Sequence, residues 1–69
     1  MSWNTLTDQQ REHLRTTLTD LQLKVIQDRL NGHTWARIAN SLNLDEATVR
    51  GHHKRAIRRI ANAARKETT

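Results

Sequence analysis

Arg50, Lys54 and Arg58 recur at four-residue intervals, and Arg55, Arg59 and Lys66 follow as a neighbouring row. At about 100° per residue, such intervals set each row along one side of a helix. Rows of guanidinium and ammonium groups offer hydrogen-bond donors and positive charge, which suit phosphate oxygens and the acceptor atoms on base edges. Between Arg50 and Lys66 there are seven basic residues and no acid, in a 69-residue chain carrying a formal charge of +5. A basic run alone is also what a solvated helix face looks like. The residues interleaved with it are therefore what matters.

With Val49 placed at zero, His53, Ala56 and Ile60 fall within roughly 40° of it, and Ile57 lies at the flank. That side is apolar and faces a core. Ala47, Arg50, Gly51, Lys54 and Arg58 gather opposite, where Gly51 leaves room beside the backbone. A helix with a cationic N-terminal half and small neighbours fits the major groove, so Ala47, Thr48, Arg50, Gly51 and Lys54 are the expected base-reading residues. Thr34, Trp35, Arg37, Arg55, Arg58 and Arg59 are the expected phosphate contacts. Trp35, in the first turn of its helix, has two readings, a ring at the edge of the core, which is the favoured one, or an indole N–H donor to phosphate where the helix end abuts the DNA backbone. Thr34 stands where free backbone N–H groups attract anions.

Other chemistries find little support. His52 and His53 are adjacent, so on a helix they point about 100° apart and do not share a metal as an i,i+4 pair does. His53 is expected as a core-edge imidazole with one hydrogen bond, and His52 as a flank residue bonded to backbone or phosphate. Ser2 and Ser41 lack evident His and acid partners, and no Gly-rich phosphate loop follows a strand. With no cysteine, disulfides and thiolate chemistry are excluded. No enzyme activity, metal or cofactor is expected.

The elements that position these residues follow from caps and periodicity. Thr34 caps a short helix whose Ile38, Ala39 and Leu42 share one face. Asn43 suits the left-handed backbone that ends a helix, Leu44 drops into the angle beyond it, and Asp45 caps the next helix. Two helices joined by so short a turn form a helix-turn-helix. Upstream, Thr7 with Gln10 has capping-box spacing, and Thr19 opens a further helix that Gly32 ends. That helix is apolar on two sides, Leu21 and Val25 on one and Leu23, Ile26 and Leu30 on the other, which makes it central. The expected fold is an all-α, four-helix single domain over 1–69, with helices near 8–17, 20–31, 35–42 and 46–65. Residues 1–6 and 67–69 are expected to fray, although Trp3 and Leu6 have the means to fold back as a clasp.

Leu18-Thr19, Val25-Ile26, Gly32, Thr34, Ile38-Ala39, Leu42, Leu44 and Thr48-Val49-Arg50 with His52 fall without a gap in the frame of the LuxR-type DNA-binding module, which the chain resembles over about Leu14 to Ala64. The stretch is equally similar to the C-terminal promoter-reading region of bacterial sigma factors, through Thr48-Val49-Arg50 followed by Arg55-Ala56 and an aliphatic, basic tail. Both resemblances imply a first helix that braces a second one in the major groove, with Arg50, Gly51 and Lys54 as groove residues. His53 departs from the aliphatic residue usual there, and Ala56 is smaller than the LuxR-type pattern. The LuxR-type resemblance also suggests a homodimer through the C-terminal end, near Ala63 and Ala64.

The expected function is sequence-specific binding of double-stranded DNA in transcription regulation, with residues 46–60 as the recognition helix. The alternatives are a sigma-like module that binds RNA polymerase or another transcription protein, and a viral or mobile-element protein that recognises DNA ends. In the partner alternative, Gln27 and Arg29 are the exposed positions expected to matter. No membrane-spanning run or signal-peptide core is present, so a cytoplasmic location is the default.

Overall fold

Threonine hydroxyls open three of the four helices. The computed structural model describes the backbone of residues 2–67 and the side chains of residues 2–65. Helix α1 spans Asp8–Thr17, α2 Asp20–Leu30, α3 Trp35–Leu42 and α4 Glu46–Glu67, and a 3-10 turn at Trp3–Thr5 precedes them. Gln10 N–H donates to Thr7 Oγ1 at 3.1 Å, and Thr7 N–H donates back to Gln10 Oε1 at 2.9 Å. Thr19 and Gln22 repeat this box with 3.2 Å in both directions. At α3, Arg37 N–H donates to Thr34 Oγ1 at 3.1 Å. Each bond satisfies a backbone donor that the first helical turn otherwise leaves without a partner.

The helix ends are equally specified. Asn31 caps α2, Gly32 takes φ 85°, and His33 N–H closes the turn on the Asp28 carbonyl at 3.0 Å. Asn43 takes φ 56° at the end of α3, and Leu44 N–H donates to the Ala39 carbonyl at 2.9 Å. The Asp45 carbonyl then accepts from Val49 N–H at 3.0 Å, so the bond that opens α4 runs to the backbone of Asp45.

The core has two parts, and α2 stands between them. Val25, Ile38, Ala39 and Val49 form one cluster, with Trp35, Leu42 and Leu44 packed against it. Leu18, Ile26 and Ala56 form the other, joined by Leu14, Leu23, Leu30 and Ile60. Val25 and Ile26 are consecutive and so face different sides of α2, as the doubly apolar pattern of that helix anticipates. Helix α2 packs against α1, α3 and α4, and α4 likewise touches the other three. The described residues contain helices and turns and no strand.

Residues 2–6 depart from the expected fraying, and Met1, included in that expectation, lies outside the described residues. Trp3 N–H donates to Asn31 Oδ1 at 2.9 Å, tying the 3-10 turn to the end of α2. Arg11, which also pairs with Asp8, donates to the Leu6 carbonyl at 2.9 Å, and the Arg15 guanidinium lies 5.7 Å from the centre of the Trp3 ring. A backbone donor and a backbone acceptor, satisfied by side chains 28 and five residues away, hold this segment down. Thr68 and Thr69, where fraying was expected, lie outside the described residues, as does the Lys66 side chain.

Candidate nucleic-acid interface

Helix α3 and the turn at Asn43 and Leu44 determine how α4 is presented. Ile38 and Val49 are fully buried, Ala39 is nearly so, and Leu44 packs against them from the turn. Those contacts fix the rotation of α4 about its own axis. Its opposite side is then committed to solvent: Ala47, Thr48, Arg50, Lys54 and Arg58 are all exposed, with Gly51 partly so among them. A Cβ added at Gly51 would meet nothing closer than an Arg55 guanidinium nitrogen at 3.9 Å, so the helix surface there is open. All five residues expected to read bases therefore lie at the surface of one helix.

One acid stands at the head of this face. Glu46 Oε1 is 4.0 Å from Arg50 Nη2, an i,i+4 pair in which both side chains are more than half exposed. Exposed pairs of this kind hold a side chain only weakly, about 0.3–0.5 kcal/mol. Arg50 has a second neighbour, since its Cζ lies 5.4 Å from the centre of the Trp35 ring.

Trp35 joins α3 to both of its packing partners. It is half-buried against the first core cluster, as the core-edge reading has it. The Arg29 guanidinium, from α2, lies 4.2 Å from its ring centre and donates through Nη1 to the His33 carbonyl at 2.9 Å. His53, from α4, meets the ring at 5.0 Å between centroids and an interplanar angle of 82°. The contact that His53 makes is thus an aromatic edge in place of the expected hydrogen bond. Burial, and secondarily the Arg29 charge, push the His53 pKa below its ordinary 6.5. Both causes disfavour the imidazolium.

The expected phosphate contacts divide. Thr34 and Arg37 are exposed at the N-terminal turn of α3, next to Trp35, and Arg58 is exposed on α4. The Arg55 guanidinium lies 3.5 Å from His52 Nδ1, which accounts for His52 within the protein. Arg59 is exposed but reaches across to α1: its Nε donates to the Thr17 carbonyl at 3.0 Å, across 42 residues of sequence. A cation at the C-terminal end of α1 satisfies a free carbonyl and complements the helix dipole there. Arg59 is therefore a tie between α4 and α1. Sequence reasoning missed this tie and the Arg29–Trp35 stack, because nothing in the local pattern marks a contact made through a turn or a tertiary crossing. The Glu46–Arg50 pair, by contrast, is visible in its i,i+4 spacing.

Elsewhere the surface offers less. Among the described residues no three of His, Asp and Glu are grouped to hold a metal ion, and no helix is long and apolar enough to cross a membrane. An open, mainly apolar groove of about 400 Å³ lies between α1, α2 and α4, lined by Leu6, Leu14, Ile26, Leu30 and Ile60 with Arg29 and His53, and by Ile57 at 49% exposure. Fold and site together define a four-helix, all-α domain that presents a basic helix through a helix-turn-helix. No protein-family model, curated protein or solved structure matches the chain.

Proposed function

We propose that this chain binds double-stranded DNA in a sequence-specific way and regulates transcription, with residues 46–60 of α4 in the major groove. The observation that carries the proposal is the composition of the exposed side of α4. Arg50, Lys54 and Arg58 follow one another at one-turn spacing beside the open surface at Gly51, while Val49 and Ala56 behind them are fully buried. A bidentate guanidinium suits guanine, and an ammonium suits a base acceptor or a phosphate. Thr34, Arg37, Arg55 and Arg58 supply the backbone contacts, and Trp35 serves from beneath as a packed ring. The resemblance to LuxR-type and sigma C-terminal modules points to the same use of the second helix. One module of this size covers a short site, so high specificity calls for a second copy or another protein on the DNA.

Selection from a random duplex pool, followed by titration against salt, tests the proposal. The expected result is an enriched motif and a log–log salt slope of about −4 or steeper, which corresponds to several neutralised phosphates. The double reversal Arg50→Glu, Lys54→Glu is expected to abolish binding to the enriched duplex while leaving the helical circular dichroism unchanged. No motif, or undiminished binding by the reversed protein, would remove the basis for the proposal.

Ile57 favours a second reading, a module that docks on RNA polymerase or another transcription protein. It is a large apolar side chain half open to solvent at the rim of the apolar groove. Arg29, nominated from sequence for such a surface, is exposed and lines the same groove while also contacting Trp35 and His33, and Gln27 is half-buried. Ile57→Glu separates the readings, because it should release a protein partner and leave duplex affinity within about twofold, as expected of a surface change away from the contact.

A further inference from the structure

The exposed face of α4 carries one cation whose direction is set by another helix. Arg50 projects from α4 and lies 5.4 Å from the centre of the Trp35 ring, within the range of a cation–π contact. The ring is itself held in place. Arg29 lies over it at 4.2 Å and is anchored by its bond to the His33 carbonyl. His53 meets it edge to face at 5.0 Å, and the indole itself packs on the cluster of Val25, Ile38, Ala39 and Val49. Lys54, one turn further along, has no such platform among the ring contacts.

We infer that Trp35 is a positioning residue for Arg50, a fixed aromatic platform that orients this guanidinium for base recognition; the inference rests on the DNA-binding proposal. A cation–π contact draws on the charge of the guanidinium and leaves its N–H groups available, so the ring restrains the direction of Arg50 without consuming its donors. The Glu46 carboxylate, 4.0 Å from Nη2, works in the opposite sense through its charge. An untethered arginine must give up its side-chain freedom when it meets a base, and a restrained one has already given up part of it. Trp35 thereby contributes to sequence discrimination without touching DNA, which differs from a role as an indole donor to phosphate.

A double-mutant cycle tests this. The probe is the duplex most enriched from a random pool, together with its single-base-pair variants. The proteins are wild type, Trp35→Leu, Arg50→Ala and the double variant, with Lys54→Ala replacing Arg50→Ala in a control cycle. Trp35→Leu is expected to weaken binding by about two- to fivefold, within the cost of ordering one long side chain on binding. The loss should fall on the base pair that Arg50→Ala also relaxes. It should vanish in the Arg50→Ala background and persist in the Lys54→Ala background. Trp35→Phe, which keeps a ring face, should recover part of it and guards against a folding defect in the leucine variant. In the free protein, the Arg50 Nε–Hε proton should show a ring-current shift that Trp35→Leu removes.

Additive effects of Trp35→Leu and Arg50→Ala would overturn the inference while leaving DNA binding intact. So would a uniform loss across all duplex sequences, which is the signature of a phosphate contact. Absence of the ring-current shift would show that Arg50 does not rest against the Trp35 ring. If the wild-type protein binds no duplex, the DNA-binding proposal falls and takes this role of Trp35 with it.

Discussion

Gly51 is the residue at which stability and the proposed function pull apart. A glycine inside a helix costs about 0.5–1 kcal/mol relative to alanine, because the unfolded chain loses more freedom on folding. Its backbone is helical, and a Cβ there has room, with only an Arg55 nitrogen at 3.9 Å. Nothing within the fold therefore calls for glycine. What the missing side chain provides is access to the helix surface between Arg50 and Lys54. Gly51→Ala is accordingly expected to raise the melting temperature by roughly 2–8 °C, about 0.5–1 kcal/mol for a domain of this size, and to weaken binding to the enriched duplex. Paired thermal melts and binding isotherms check both halves. A variant that is more stable and binds as well as wild type would show that the groove face does not approach DNA at Gly51.

At the scale of elements, α3 and its turn form the part least able to stand alone. Eight residues are too few for a helix to persist in water, so α3 depends on Ile38 and Ala39 being buried against α2 and α4. Its exit depends on Asn43, whose φ of 56° lies in the left-handed region where most side chains cost about 1–2 kcal/mol. Asn43→Gly should be neutral to slightly stabilising, and Asn43→Ala should cost about 1 kcal/mol in urea unfolding. A β-branched replacement should cost more. Because Leu44 is placed by that turn and packs beneath α4, the alanine variant should also reduce DNA affinity beyond its loss of stability. Equal stability of the glycine and alanine variants would mean that the turn relaxes to another backbone path.

For the molecule as a whole, the two core clusters are bridged along α4, where His53 comes between Val49 of one and Ala56 of the other. It touches Trp35 of the first cluster and lines the groove beside Ile26 and Ile60 of the second. Folding lowers its pKa below 6.5, through burial first and the Arg29 charge second. In the window between the lowered value and 6.5 the unfolded chain binds more protons than the folded one, so stability rises with pH there. The contribution is intact above about pH 6.5 and is lost as pH falls toward the folded pKa. Urea midpoints should therefore be lower at pH 5 than at pH 7.5, and His53→Leu should flatten that difference. An unchanged difference in the variant would assign the pH dependence to other groups. Domains of 69 residues hold on the order of 3–10 kcal/mol in total, so even a modest linkage is measurable.

Local chemistry was legible in the chain itself. Thr7, Thr19 and Thr34 announce helix starts because a hydroxyl followed three residues later by a backbone donor needs no distant partner. Asn43 and Gly32 announce helix ends because left-handed backbone is a property of single residues. The spacing of Val49, His53, Ala56 and Ile60 likewise assigns the inner and outer sides of α4, since helical periodicity alone sorts them. Tertiary structure decided what those sides meet. It turned Arg59 toward the Thr17 carbonyl, gave His53 an aromatic edge, folded Trp3 onto Asn31 and set Trp35 against Arg29 and Arg50. Each of these depends on where one helix crosses another or where a loop returns the chain. A long flexible cation takes whichever acceptor or ring the packing brings near, and sequence spacing does not contain that information.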